Sequence, residues 1–245
     1  MGGRLGIRHF APAVAAALLF VVLITGGALA APSSSIGVDR GPAGWAPITL
    51  RPGCSVSGDV VASANRLMKD RYKLGTRPAV RLPHNPTWRE NPFHDDNWLF
   101  GYHSLRFVLT LEAAWAKTGA RRYLNRALFL ARDWFRDNPR STPRSRFSWD
   151  DHATAWRAMV YACTGELVPV SGWLRSALLL HGSVLASPSF YVRHGNHALN
   201  QAMGLLEVGR VLHRSDWIKL AGYRINKLIA ASVDLTRSRS SGEAV

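Results

Sequence analysis

The chain has 245 residues, 47% of them hydrophobic, including nine tryptophans. That length and composition allow one or two domains with a sizeable core and exclude a disordered polypeptide. Lysine and arginine total 31 against 16 acidic residues, a net charge of +15, which points to nucleic acid, an anionic envelope or an acidic polysaccharide as partner.

The first segment predicts a secretory signal. Arg4 and Arg8 precede an apolar run of about 14 residues, shorter than the roughly 20 that a membrane span needs. Ala28 and Ala30 then stand in A-x-A spacing, so cleavage is expected after Ala30. Loss of residues 1–30 removes Arg4 and Arg8 and no acid, leaving a net charge of +13. The product is expected to be secreted or envelope-associated, with no membrane span after cleavage. Export makes nucleic acid the least fitting of the three partners. Residues 31–56 are rich in Ser, Gly and Pro and read as a linker.

From residue 57 the pattern is helical. "DVVASANRLMKDRYKL" (59–74) is the first candidate, and four prolines mark 77–96 as irregular. Apolar residues at 98, 102, 105, 109 and 113, followed by Gly119, predict a helix over 97–119. Tyr123, Ala127, Leu130, Ala131 and Trp134 predict another, ended by Pro139. Further helices are expected over 149–163, 171–187, 193–210 and 216–234, and no β-alternation stands out. Short connections suit antiparallel neighbours, in a bundle or a closed ring of helical hairpins. Residues 235–245 are polar and aperiodic and read as a disordered tail. Cys54 and Cys163 could pair in an exported protein, but their separation leaves the pairing open.

Three stretches could carry chemistry. On a helical wheel, "RHGNHALNQAMGLLEVGR" (193–210) puts Leu199, Ala202, Met203 and Leu206 on one side. The other side carries Arg193, His194, His197, Asn200, Gln201 and Gly204, with Asn196 on the flank. Such uncharged donors and acceptors form either a ligand-binding wall or a polar packing seam. In "SWDDHATAWR" (148–157), Asp150 and Asp151 are capping candidates. His152 and Trp156 share a face there, and Arg157 is turned away from His152. In "HDDNWLFGYH" (94–103), Trp98 and Tyr102 form a sugar-stacking surface or a core pair. His194 and His197, with Asp151 or His152, give a weak metal pattern unlike H-E-x-x-H, and neither metal nor cofactor is expected. No G-x-S-x-G supports a serine hydrolase.

The order "NWLFGYHSLRFVLTLEAAWAKTGARRYLNRALFLARDWFRDNP", "SWDDHATAWR", "RHGNHALNQAMGLLEVGRVL" resembles the N-terminal helical domain of heparinase II/III-like polysaccharide lyases, alginate-lyase relatives included. The resemblance covers residues 60–234. It implies an all-α fold, an incomplete (α/α) toroid of antiparallel hairpins over 57–234. It also implies β-elimination on a uronic-acid polysaccharide such as a heparan-like or alginate-like chain. The family's Asn-His pair maps onto Asn196, as neutraliser of the substrate carboxylate, and His197, as base. Arg193, Arg157 and His152 would then contact substrate, with Trp98 and Tyr102 as stacking candidates. The family continues past the point matching Asp234 with a catalytic Tyr segment and a β-sandwich. Here "LTRSRSSGEAV" follows, so a truncated product with little or no activity is expected. The alternative is a non-catalytic binder of anionic glycans.

Overall fold

The computed structural model describes residues 45–242, with side chains through Ser232. The expected signal peptide (1–30), the first part of the expected linker (31–44) and the last three residues of the expected tail lie outside the described residues.

After a 3-10 turn at Pro52–Cys54 comes α1 (Val60–Met68), opened by Asp59, whose side chain accepts a hydrogen bond from the Ala62 amide. The expected 59–74 helix stops early because Asp70 takes a left-handed turn, at φ 58°. The chain then forms an antiparallel pair that alternation did not signal, β1 (Arg71–Tyr72) and β2 (Val80–Arg81). Next come α2 (Asp96–His103) and α3 (Arg106–Thr118). The apolar pattern over 97–119 predicts one helix, but Leu105, at φ 57°, breaks it in two. The break keeps Leu105 buried along with Tyr102 and Val108, so the core gains apolar area from both pieces.

The remaining helices match the periodicity within a few residues. They are α4 (Arg121–Asp137), α5 (Asp151–Leu167), α6 (Gly172–Ala186), α7 (Gly195–Val211) and α8 (Ser215–Gly242). Helix α8 runs on through residues 235–242, where the polar composition suggests a disordered tail.

Helices α3–α4, α5–α6 and α7–α8 pack as consecutive hairpins, and α3 against α5 and α5 against α7 join the hairpins side by side. The result is an all-α, incomplete toroid with α3, α5 and α7 as its inner helices. These three run the same way. Arg106 near the start of α3 stacks on Trp156 near the start of α5. His197 near the start of α7 bonds Asp151 at the start of α5. At the far end Arg51 clamps Glu166 of α5 to Glu207 of α7. Helices α5 and α7 approach so closely that a Cβ at Gly204 would sit 2.7 Å from the Ala155 carbonyl oxygen. No helix among the described residues is long and apolar enough to cross a membrane.

A disulfide between Cys54 and Cys163, 109 residues apart, ties the 3-10 turn to α5. Closing a loop of that length is worth up to about 5 kcal/mol in the chain-entropy picture. Beside it Glu112 of α3 is fully enclosed. Thr164 Oγ1 lies 2.5 Å from Glu112 Oε1 and 3.0 Å from the Val160 carbonyl oxygen. One hydroxyl proton serves one of these acceptors, and a protonated Glu112 supplies the other bond. Burial indeed pushes Glu112 from 4.5 up to about 8.

This acid therefore holds a proton in the folded chain that the unfolded chain releases. Stability falls as pH rises through that window and levels off above it, with a slope approaching ~1.4 kcal/mol per pH unit. Between pH 6.5 and about 8 His103, His152 and His181, all held below the usual histidine value in the fold, contribute alike to the parent chain and to Glu112→Gln, so the difference between the two isolates Glu112. Thermal unfolding of Glu112→Gln is expected to lose the decline seen in the parent chain across that range. A slope equal to the parent's would show that Glu112 is ionised in the fold.

Candidate active site at the helix N-termini

The inner helices bring their N-terminal ends together, and with them the Asp-His stretch of α5 and the His-Asn stretch of α7. The Asp150 side chain accepts from the His152 and Ala153 amides and so caps α5. That cap leaves Asp151 free for another partner. Helix α7 has no side-chain cap: His194 precedes it in extended backbone, and Gly195 opens it at φ 73°. The unbonded amides of its first turn and the helix dipole favour an anion there.

Asp151 Oδ2 accepts from His197 Nδ1–H at 2.9 Å. That bond fixes the tautomer and leaves Nε2 with its lone pair and no partner among the described residues. The His197 side chain is 44% exposed, so this nitrogen is reachable from solvent. The His152 ring lies 4.2 Å from it, centroid to centroid, and Phe100 stacks on the other side of His152 at 4.8 Å. His152 Nε2 accepts from Trp156 Nε1–H at 3.0 Å, and Asn200 Nδ2 approaches the same nitrogen at 2.7 Å. An indole can only donate, so His152 is neutral. Burial, the nearby His197 and Arg106 hold its pKa below the usual value. A proton arriving on His197 thus meets no second imidazolium.

Asn196 and Arg193 are exposed beside His197, one in the first turn of α7 and one just before it. The polar stripe of α7 therefore has two parts. Arg193, His194, Asn196 and His197 form its open end, and Asn200, Gln201 and Gly204 form a seam. Gln201 is buried, donating to the Phe190 carbonyl at 2.9 Å and accepting from the Val192 amide at 2.8 Å. Gly204 meets α5 directly.

Three expected contacts are corrected by burial. Arg157 is fully enclosed. Its donors go to His181 Nε2, the His103 and Ser148 carbonyls and Thr154 Oγ1, and its guanidinium lies 3.5 Å over the Trp134 ring. Trp98 and Tyr102 are core residues, 1% and 0% exposed, packed on each other, with the Tyr102 hydroxyl donating to Glu90. None of the three is available to a sugar.

The structure adds groups that spacing did not single out. Asp151 is legible as a cap or a weak metal-ligand candidate and Asn200 as part of the polar stripe, but neither as a partner in this cluster, and Phe100 and Arg106 carry no signal for it. Among the described residues, no group of three or more His, Cys, Asp or Glu converges as a metal site.

No protein-family model and no curated protein matches the chain. Among solved structures it is similar to a mutant of the heparan sulfate lyase HepC from Pedobacter heparinus, with TM-score 0.62 and 16% identity. The likeness covers 71% of this chain and 29% of that one, so the chain spans under a third of the lyase's length. At that identity the likeness shows the shared helical fold alone.

Proposed function

We propose that the chain acts on an acidic polysaccharide by β-elimination, with Asn196 and His197 as the reacting wall. The observation that carries this reading is the Asp151–His197 pair: a base with its tautomer set and its Nε2 open, beside an exposed amide at an uncapped helix N-terminus.

The chemistry needs those groups together. The C5 proton of a uronide is too weakly acidic while the C6 carboxylate is a free anion. Asn196 would bond the carboxylate and stabilise the charge that builds on it. His197 Nε2 takes the C5 proton, and Asp151 supports the imidazolium that forms. The C4–O4 bond then breaks with its electron pair going to O4, a C4=C5 double bond forms, and O4 takes up a proton from water, which the exposed site admits.

Two further observations support the setting. The fold is shared with a lyase of heparan sulfate, itself an acidic polysaccharide. The Cys54–Cys163 bridge favours an oxidising compartment, in keeping with export to the envelope or beyond.

The test is formation of unsaturated uronide, followed by its ultraviolet absorbance, from heparan-type and alginate-type chains. His197→Ala is expected to lower kcat by about 100-fold or more, and Asn196→Ala by a similar factor, with thermal unfolding unchanged. Binding without product in the parent chain would favour a non-catalytic glycan binder. Loss of thermal stability in both variants would return the open end of the stripe to a packing role.

A further inference from the structure

Arg106, the first residue of α3, is exposed, and its guanidinium lies 4.1 Å over the Trp156 ring. Trp156 is itself fixed by its bond to His152, whose ring packs on His197. Arg106 is thus the outer member of one chain of contacts that ends at the candidate base. Among the described residues no carboxylate pairs with it. Some arginines differ: Arg146 is paired with Asp96, and Arg136 with Asp133 and Asp137. The position is also unfavourable for a cation, since the α3 dipole places partial positive charge there. Among the described residues the Trp156 ring faces this charge, but no carboxylate offsets it.

We propose that Arg106 is a specificity residue that binds an acid group, carboxylate or sulfate, on a sugar next to the one held by Asn196. This rests on the lyase reading of the site. Among the described residues no acceptor bonds the guanidinium N–H groups, and a contact through the Trp156 face is compatible with their in-plane edges meeting a ligand. Those edges match two oxygens of a carboxylate or sulfate in a forked pair of bonds. The indole also holds the side chain in place before binding, so less rotamer entropy is lost when the anion arrives. Asn196 recognises the reacting unit, and Arg106 makes recognition depend on the acidity of its neighbour.

The test uses the full chain and two probes, heparin, which carries sulfates and carboxylates, and heparosan, which carries carboxylates alone. Calorimetric titration of Arg106→Ala is expected to raise Kd about tenfold, with a correspondingly flatter salt dependence. A loss confined to heparin assigns sulfate, and a loss with both assigns carboxylate. Arg106→Lys is expected to recover part of the affinity, because it keeps the charge and loses the fork. Thermal unfolding of both variants should match the parent, as the side chain is exposed.

Less than a threefold change in Kd for both probes in Arg106→Ala overturns the proposal. If His197→Ala still abolishes turnover in that case, the lyase reading stands and only the role of Arg106 falls. Failure of the parent chain to bind either probe overturns both.

Discussion

Arg157→Ala is expected to cost the fold about 4 kcal/mol or more, the largest stability effect of any single substitution considered. The guanidinium is a buried cation with no carboxylate partner among the described residues, so its worth lies in what it satisfies. It takes the His103 carbonyl at the end of α2 and the Ser148 carbonyl in the loop before α5, both at 2.6 Å. It also bonds His181 Nε2 of α6 at 3.0 Å, and that ring's Nδ1–H donates to Ala177. Truncation leaves three buried acceptors without donors and opens a cavity against Trp134. Each orphaned group costs about 1–3 kcal/mol.

Arg157→Lys keeps the charge but presents a point ammonium to a site built for a fork, so it too is expected to destabilise, by about 2 kcal/mol or more. Urea unfolding measures both. A change under about 1 kcal/mol for alanine would show that water reaches this site and replaces the lost donors.

Asp151→Asn is expected to lower turnover at least ~100-fold with little change in stability. The carboxylate does two things for His197. It accepts the Nδ1–H bond that directs the Nε2 lone pair outward, and its charge offsets the imidazolium. An amide is neutral and can also donate, which permits the opposite tautomer. The signature is a fall in kcat with KM nearly unchanged, because Asp151 is turned toward His197 rather than toward solvent-exposed Asn196 and Arg193. A kcat within threefold of the parent's would remove Asp151 from the mechanism.

These two predictions mark where sequence and structure part. The helices were legible because their apolar residues recur at helical spacing, and Gly119 and Pro139 end two of them as local signals imply. The break at Leu105 was not, because the apolar residues at 98, 102, 105, 109 and 113 keep their spacing across it. Only a left-handed backbone residue interrupts the helix, and a leucine does not advertise one.

Trp98 and Tyr102 share a face, as spacing indicated, but spacing cannot say whether a face meets a sugar or the core. Arg157 looked like a surface cation because local pattern gives no sign of acceptors contributed by a helix end and a loop. Asn196 and His197 were found as a motif. The partner of His197 stands 46 residues away, on a helix start where capping was the ordinary expectation for an aspartate. The disulfide was equally a matter of geometry, with Cα atoms 5.5 Å apart in the fold.

In the proposed reaction His197 takes the C5 proton of a bound uronide. Chemical rescue tests it most directly: turnover of an acidic polysaccharide by His197→Ala is measured with and without added imidazole. Unsaturated product is expected nearly to disappear in the variant and to return in proportion to imidazole, since the cavity left beside Asp151 can admit a free base. Turnover by His197→Ala equal to the parent's without imidazole would contradict it.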